Sequence, residues 1–214
     1  MALDVEMLTV GPVAENCFLL RRQGDDRLLV VDPGEEQERL LAAIEATGAQ
    51  AEAILITHCH FDHIGAVTPV AAATGAPVYC PEIETPMLED IMAFVPWEGF
   101  GPFESYKPDK TVSGGETLEL AGLELDVIFT PGHSLGHVTY AVRGEDALFS
   151  GDVLFQGSVG RVDLPGGDGP TLLASIGQLL DRFPDETVVH PGHMGLTTLG
   201  AERATNPFLG SLSH

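Results

Sequence analysis

Basic residues are scarce in this chain, in which 10 lysines and arginines stand against 32 aspartates and glutamates. The resulting formal net charge of −22 at pH 7 repels phosphate backbones and anionic lipid headgroups. Nucleic acids and membrane surfaces are therefore disfavoured as partners. A small molecule is the class of partner that we expect.

Cysteine is also scarce, and long apolar runs are missing. Three cysteines, Cys17, Cys59 and Cys80, do not make the even-numbered framework of a disulfide-stabilised domain. The first ten residues contain Asp4 and Glu6 instead of a basic segment followed by an apolar one. We therefore expect neither a secretory signal peptide nor a membrane span, and we predict a cytoplasmic location.

The length of 214 residues suits one domain, 1–214, with enough chain to bury a core. Helical spacing of apolar residues predicts helices over 35–47, 66–74 and 172–183. Short apolar runs bounded by Gly-containing turns predict strands over 7–10, 17–21, 28–31, 53–56, 77–79, 117–120, 123–129, 138–142, 147–149 and 188–189. Strands interleaved with helices on this scale predict sheets that are covered by helices.

Residues 81–110 show neither the apolar spacing of a helix nor that of a strand, so no regular element is predicted there. The segment holds much of the aromatic content, including Phe94, Trp97 and Tyr106, and its prolines interrupt any long helix. Two interpretations are open, and both can hold. The segment packs over the domain as a loop with a small apolar cluster, or it forms a wall of a substrate pocket.

The most informative motif is THCHFDH, residues 57–63, which follows the apolar run 53–56. It places His58, His60, Asp62 and His63 within six residues at the end of a predicted strand. Imidazole and carboxylate groups are the ligands that borderline divalent metals such as zinc, iron and manganese accept. A ligand cluster at the end of an element indicates a metal site.

Three later segments have the same character. TPGH (130–133), SGD (150–152) and PGH (191–193) each follow a strand-like run, contain a glycine and present one histidine or aspartate. Glycine lets the backbone turn tightly and approach a site closely. Four strand ends that deliver ligands to one edge of a sheet provide the geometry that a metal site needs.

In this order, THCHFDH, TPGHS, SGD and PGH resemble the metallo-β-lactamase superfamily, and within it the hydrolase branch that contains the glyoxalase II enzymes. The resemblance extends from Asn16 to Phe208. It implies an α/β fold, a four-layer αββα sandwich with a two-metal site at one edge. It also implies two divalent ions, with zinc favoured and iron or manganese compatible with the same ligands.

Carried over position by position, the resemblance assigns a role to each of the candidate ligands. The first ion would be bound by His58, His60 and His133, the second by Asp62, His63 and His193, and both by the bridging Asp152. All of these positions fit the family pattern. Asp62 and Asp152 are the candidate catalytic residues, Asp62 because it could also orient the nucleophile.

The segment 157–168 is similar to one in the short, single-domain glyoxalase II-like enzymes of bacteria. It contains Arg161, a candidate substrate-binding residue near the mouth of the site. Two interpretations of Arg161 are open: it contacts a substrate carboxylate, or it forms a salt bridge to Asp163 or Asp168. Larger relatives carry a helical C-terminal domain with basic residues for glutathione. Since no counterpart follows His193, we expect weak anchoring of a glutathione carrier.

The resemblance implies hydrolysis of an S-2-hydroxyacyl thiol, such as S-lactoylglutathione, by metal-bound hydroxide. The alternative is a persulfide dioxygenase, which shares the scaffold but uses one iron held by two histidines and an aspartate. A non-enzymatic metal-binding domain is disfavoured by the complete ligand set. β-Lactam hydrolysis is disfavoured because no signal peptide is evident, and the oligomeric state stays open.

Several neighbouring residues are expected to support the ligands. Asp32 either hydrogen-bonds a ligand histidine and fixes its tautomer or serves only as a turn residue, and Thr57 could act in the same way as Asp32. His137 and His190 are expected to be structural, because neither matches a ligand position. Cys59 is expected to face the packing side, since alternate residues of an extended segment point in opposite directions.

Overall fold

Two mixed six-stranded sheets form the centre of the fold in the computed structural model, which describes residues 2–210. The strands of the first sheet, adjacent in chain order, are β1 (Leu3–Val10), β2 (Glu15–Arg22), β3 (Arg27–Val31), β4 (Gln50–Leu55), β5 (Val78–Pro81) and β6 (Lys110–Val112). Strands β3 to β6 run parallel to one another. Their carboxyl ends therefore meet at one edge of the sheet.

The second sheet is built from the rest of the chain. Its strands are β7 (Thr117–Leu120), β8 (Leu123–Phe129), β9 (Val138–Val142), β10 (Ala147–Gly151), β13 (Val188–Pro191) and β14 (Thr197–Thr198). In space their order is β14-β13-β10-β9-β8-β7, and β10 and β13 are parallel. A small hairpin, β11 (Leu154–Phe155) and β12 (Ser158–Val159), follows β10.

Helices cover both outer faces. They are α1 (Gln37–Thr47), α2 (Phe61–Ile64), α3 (Val67–Thr74), α4 (Thr85–Glu89), α5 (Ile91–Phe94), α6 (Gly169–Arg182) and α7 (Leu199–Thr205). Among residues 2–210, none of these helices has the length and hydropathy needed to cross a membrane.

Alternation along the strands produces three apolar layers. In β2, Phe18 and Leu20 point into the layer between the sheets, whereas Cys17 and Leu19 point towards α1 and α3. Both faces of this strand are buried because successive side chains of a strand lie on opposite sides. A third layer packs α6 against the outer face of the second sheet. Helix, sheet, sheet and helix follow one another, so the predicted αββα sandwich is confirmed.

Helix α6 begins three residues before the predicted start at 172. The side chain of Asp168 accepts a hydrogen bond from the Thr171 amide at 2.9 Å, which caps the helix and fixes its first turn. Pro170 lies in that turn, where proline needs no hydrogen-bonded amide. The cap therefore extends the helix beyond its apolar stripe.

The expectation that residues 81–110 contain no regular element is wrong in part. The segment forms α4 and α5, and its last residue begins β6. Pro86 is compatible with α4 because it stands in the first turn, and the helices separate at Asp90, whose backbone leaves the helical region. The prolines limit the length of these helices without excluding them.

Tyr140 joins the two sheets directly beneath the THCHFDH segment. Its side chain is fully buried on β9, and its hydroxyl donates a hydrogen bond of 2.9 Å to the carbonyl oxygen of Ile56, the residue after β4. Burial raises the pKa of Tyr140 well above its ordinary value, so the hydroxyl stays a donor. This contact fixes the end of β4 just before the first histidine.

We expect Tyr140→Phe to lower the free energy of unfolding by about 1 kcal/mol, because it leaves the buried carbonyl of Ile56 without this donor. Urea denaturation of the metal-free protein measures the effect. Tyr79→Phe is the control, since the Tyr79 hydroxyl has no hydrogen-bond partner within residues 2–210. Equal stability of the two variants would contradict this role for Tyr140.

Candidate metal centre

Three histidines converge at the first of two clusters. Nε2 of His133 lies 3.2 Å from Nε2 of His58 and 2.8 Å from Nδ1 of His60, and the last two atoms are 3.1 Å apart. His58 and His133 are buried, and His60 is partly buried. Three imidazole nitrogens that point at one another are the arrangement that a shared metal ion requires.

The second cluster contains Asp62, His63 and His193. Oδ2 of Asp62 lies 3.2 Å from Nε2 of His193 and 3.8 Å from Nε2 of His63. Asp62 and His63 stand in α2, which begins directly after His60, a residue in the extended conformation. This short helix turns the end of the motif away from the first cluster and towards the second.

Asp152 lies between the two clusters. Its Oδ1 is 3.4 Å from Nε2 of His63, and its Oδ2 is 3.5 Å from Nε2 of His133 and 3.5 Å from Nε2 of His193. The structure thus brings together all seven side chains that the sequence motifs offer as candidate ligands. One carboxylate contacts both groups.

The backbone near Asp152 and His63 leaves room only for glycine at position 192. A Cβ atom on Gly192 would lie 2.3 Å from Oδ1 of Asp152 and 2.6 Å from Cε1 of His63. The glycine of the PGH segment is therefore required by close approach to the site.

Two observations show that the residues fit divalent ions. Nε2 of His63 and Oδ1 of Asp152 are buried and have no hydrogen-bond partner among residues 2–210. Buried polar atoms without partners are costly, and at a ligand cluster a metal ion provides the missing interaction. The donor set of imidazoles and carboxylates suits zinc, iron or manganese.

The protonation states match those that metal ligands need. Burial lowers the pKa of His58 well below its ordinary value, and burial together with His133 lowers the pKa of His60 to about 4. Burial opposes ionisation of Asp152, but His63 and His193 outweigh it and hold its pKa far below the usual range. Neutral imidazoles and an ionised carboxylate are the states that bind metal.

The pKa of His63 is shifted in the opposite direction from those of His58 and His60. Burial would lower its pKa, but the negative charges of Asp152 and Asp62 and the hydrogen bond to Asp32 raise it well above its ordinary value. The surroundings of this imidazole therefore favour positive charge. The same negative charges would stabilise a bound cation.

Asp32 contacts His63 at Nδ1, the ring nitrogen that faces away from the second cluster. Its Oδ2 lies 3.1 Å from Nδ1 of His63 and accepts a hydrogen bond from the Thr57 hydroxyl at 2.6 Å, while Oδ1 accepts from the Thr57 amide at 2.7 Å. As one of the two interpretations predicts, Asp32 contacts a candidate ligand histidine. With Nδ1 engaged, Nε2 of His63 is presented to the cluster.

His137 and His190 join neither cluster, as predicted. Nε2 of His137 accepts a hydrogen bond of 3.0 Å from the amide of Asp152, so this histidine positions the loop that carries the central carboxylate. His190 packs on Phe149 with ring centroids 4.6 Å apart. Cys59 faces the packing side, also as predicted, with its sulfur 3.4 Å from that of Cys80.

Arg161 contributes through its backbone as well as its side chain. Its carbonyl oxygen lies 2.8 Å from Nδ1 of His133 and accepts a hydrogen bond from that ring nitrogen, which leaves Nε2 facing the first cluster. Its guanidinium forms two 2.7 Å hydrogen bonds to Asp163 and lies 5.4 Å from the ring centroid of Trp97. The predicted salt bridge to Asp163 is present, and Arg161 also lines the cavity above the clusters.

That cavity has a volume of about 470 Å³ and includes His60, Asp62, His133, Asp152 and His193 in its lining. The segment 81–110 forms one of its walls. Other residues of the segment, such as Phe103, pack against the core. The segment therefore packs against the core and also forms a wall of the cavity. A more open depression of about 540 Å³ beside α1 contains none of the candidate ligands.

Two supporting residues were missed by sequence reasoning. Asn16 donates from Nδ2 to the carbonyls of Pro191 and Met194 at 3.0 and 2.8 Å and so brackets His193. Glu84 is fully buried, and its carboxylate accepts hydrogen bonds from the amide of Cys59 at 3.1 Å and from donors in the His133 loop. The only signal for Asn16 was its place at the start of the family resemblance.

The comparisons with known proteins agree with this geometry. The family model of the metallo-beta-lactamase superfamily matches residues 10–193, and the chain belongs to that family. A "Probable metallo-hydrolase YqgX" of Bacillus subtilis is 41% identical over 209 residues, which cover 96% of this chain and 97% of the relative. "Hydroxyacylglutathione hydrolase GloC" of Haemophilus influenzae is 33% identical over 213 residues, 99% of this chain and 100% of the relative.

Two solved structures are also similar. The B3 metallo-beta-lactamase BLEG-1 has a TM-score of 0.91 and 40% identity, covering 97% of this chain and 100% of that chain. TTHA1623, solved in a di-iron-bound form, has a TM-score of 0.84 and 42% identity, covering 95% of this chain and 100% of that chain. The chain is therefore a metallo-hydrolase of this superfamily, and its histidine and aspartate clusters suggest a dinuclear site.

Glu84 generates a prediction about stability. Its Oε1 accepts hydrogen bonds from the Ser134 hydroxyl at 2.8 Å and the Gly136 amide at 2.6 Å, so with Cys59 it serves three buried donors. We expect Glu84→Ala to lower the free energy of unfolding by about 3 kcal/mol, because unpaired buried donors are costly. Urea denaturation of the metal-free protein measures it.

The matched control is Glu82→Ala, because Glu82 and Glu84 belong to the same short 3₁₀ helix, Glu82–Glu84. Glu82 is exposed and accepts one hydrogen bond, from the Ser113 hydroxyl at 2.9 Å. We expect loss of this exposed contact to lower the free energy of unfolding by about 0.5 kcal/mol. If Glu84→Ala and Glu82→Ala unfold at the same denaturant concentration, Glu84 does not hold the two loops together.

Proposed function

We propose that this protein is a dinuclear metal-dependent hydrolase that cleaves thioesters, with S-2-hydroxyacyl thiols such as S-lactoylglutathione among its substrates. The observation that carries the proposal is the position of Asp152, whose carboxylate contacts both clusters at the floor of a substrate-sized cavity. A thioester suits such a site because its thiolate leaves with little help from an acid. The proposed partner is a small molecule, and the proposed domain is 1–214.

The ligand assignment is part of the proposal. The first ion would be held by His58, His60 and His133, the second by Asp62, His63 and His193, and Asp152 would bridge them. Two divalent ions in these positions would supply an acidified water and a positive field for the carbonyl oxygen. Zinc is the favoured metal, and iron or manganese suits the same ligands.

Residues of the chain would orient the attacking water, fix the tautomers of the ligand histidines and contact the substrate. Oδ2 of Asp62 is held at 3.2 Å from Nε2 of His193, which leaves its other oxygen to orient an attacking water. Asp32 and the carbonyl of Arg161 fix the tautomers of His63 and His133 and so preserve the ligand atoms. The guanidinium of Arg161 stands at the cavity wall, where it can contact a substrate carboxylate.

The relatives support a hydrolase in different degrees. The name of GloC supports thioester cleavage, the name of BLEG-1 supports β-lactam cleavage as a second candidate, and the di-iron form of TTHA1623 supports two ions. Persulfide oxidation by one iron is the alternative on the same scaffold. It would leave Asp62 and His193, which are 3.2 Å apart, without a shared ion.

A parallel assay of three reactions tests the proposal. The metal-loaded protein is given S-lactoylglutathione, a chromogenic cephalosporin and glutathione persulfide, with thiol release, ring opening and sulfite formation measured separately. We expect thiol release to dominate, because the site has a complete second cluster. Oxygen-dependent sulfite production without thiol release would assign the protein to the oxygenase class, and ring opening alone would assign it to the β-lactamases.

The variant Asp152→Ala tests whether the two clusters are the site of thioester cleavage. We expect it to reduce thiol release by at least 100-fold and to lower the bound metal, because the carboxylate contacts both clusters. Asp146→Ala, in the turn before β10, is the control and should keep both properties. If Asp152→Ala binds the full amount of metal, Asp152 is not the bridge.

A further inference from the structure

The upper part of the cavity is apolar. Beyond the candidate ligands, its walls consist largely of side chains from two regions of the chain, the segment 81–110 and the loops after β8 and β12. The main apolar contributors are Ile83, Met87, Phe94, Trp97, Leu135 and Leu164. Water in contact with such walls is displaced favourably by an apolar ligand.

Several of these side chains are more exposed than their size would favour. The exposed fractions of Ile83, Phe94 and Leu135 are 54%, 51% and 62%. Scattered exposed apolar residues are ordinary, but these three line one cavity that also contains the candidate ligands. Apolar surface gathered around a site indicates a binding surface.

Charged anchors for a ligand are few in the same cavity. Among the described residues that line it, Arg161 is the only arginine or lysine, and its Nε and Nη2 atoms already donate to Asp163, so its guanidinium can hold at most one further carboxylate. The carboxylate of Glu84 is also fully engaged by its three donors. A carrier with several carboxylates would therefore find little to bind.

We propose that this cavity selects thioesters with an apolar group next to the scissile bond, an aliphatic or aromatic group of about five to eight carbon atoms. Such substrates would be preferred over S-lactoylglutathione. The inference rests on the proposed thioester hydrolysis. It assigns substrate selection to Phe94 and Leu135, one from each of the two lining regions, with the reactive carbonyl at Asp152 and the histidine clusters.

Steady-state kinetics on two substrate series test the preference. In the acyl series, lactoyl, butyryl, hexanoyl and benzoyl groups are carried by uncharged N-acetylcysteamine. In the thiol series, one acetyl group is carried by glutathione, N-acetylcysteamine or butanethiol. Burial of one methylene favours binding by at most about fourfold. We expect kcat/KM for the best apolar substrate to exceed that of S-lactoylglutathione at least tenfold.

The two series show which side of the thioester carries the apolar group, and a gain in either one supports the proposal. The proposal is overturned if S-lactoylglutathione is cleaved as well as or better than every apolar substrate. If no thioester is cleaved, the proposed function itself fails.

Matched variants connect the preference to the cavity. Phe94→Ser and Leu135→Ser each remove one apolar side chain from the cavity wall, and Phe208→Ser and Leu196→Ser are controls outside it with exposed fractions of 54% and 44%. We expect the wall variants to lose at least fivefold in kcat/KM for the hexanoyl substrate and less than twofold for the lactoyl one. Equal losses on both substrates would contradict selection by these walls.

A binding measurement separates the inference from catalysis. Trp97 is the only tryptophan of the chain and lines the cavity, so its fluorescence reports occupancy. We expect hexanoate to change the emission of the metal-free protein at a concentration at least tenfold lower than lactate does. The difference should disappear in Phe94→Ser and persist in Phe208→Ser. Equal responses to the two acids would overturn the inference even if thioesters are cleaved.

Discussion

The structure depends on holding five imidazoles and two carboxylates within contact distance of one another in a buried space. Charged groups lose hydration there, so the arrangement is stable only if opposite charges meet and the ring nitrogens are fixed. Asp152 is the centre of this balance, because its two oxygens face His63 on one side and His133 and His193 on the other. Loss of this carboxylate would leave two groups of histidines without a common partner.

The rest of the fold supplies the atoms that keep these side chains in place. Asp32 and the carbonyl of Arg161 engage Nδ1 of His63 and His133, and His137 accepts from the amide of Asp152. Glu84 ties the first motif, whose Cys59 lies 25 residues before it, to the His133 loop, whose Gly136 lies 52 residues after it. These contacts join the carboxyl ends of strands from both sheets, so packing between the sheets controls the geometry of the site.

The candidate ligands were predictable from sequence because each of the four segments that carry them follows an apolar run, and the three later segments also contain a glycine. Both signals are local. Glu84 was not predictable, since its partners, the amides of Cys59 and Gly136, lie 25 and 52 residues away. The backbone role of Arg161 was not predictable for a different reason. Every residue has a carbonyl oxygen, so the residue type does not show which carbonyl contacts a site. The short helices α4 and α5 were missed because prolines suggested a loop, although Pro86 occupies a first turn that tolerates it.

The central claim is that the two clusters hold two divalent ions around Asp152. Equilibrium dialysis of the metal-free protein against Zn²⁺, followed by mass-spectrometric metal analysis, tests it most directly. We expect saturation at two ions per chain in the wild-type protein, and at no more than one in His193→Ala, which keeps the first cluster intact. Saturation of the wild-type protein at one ion, unchanged by His193→Ala, would contradict the dinuclear account.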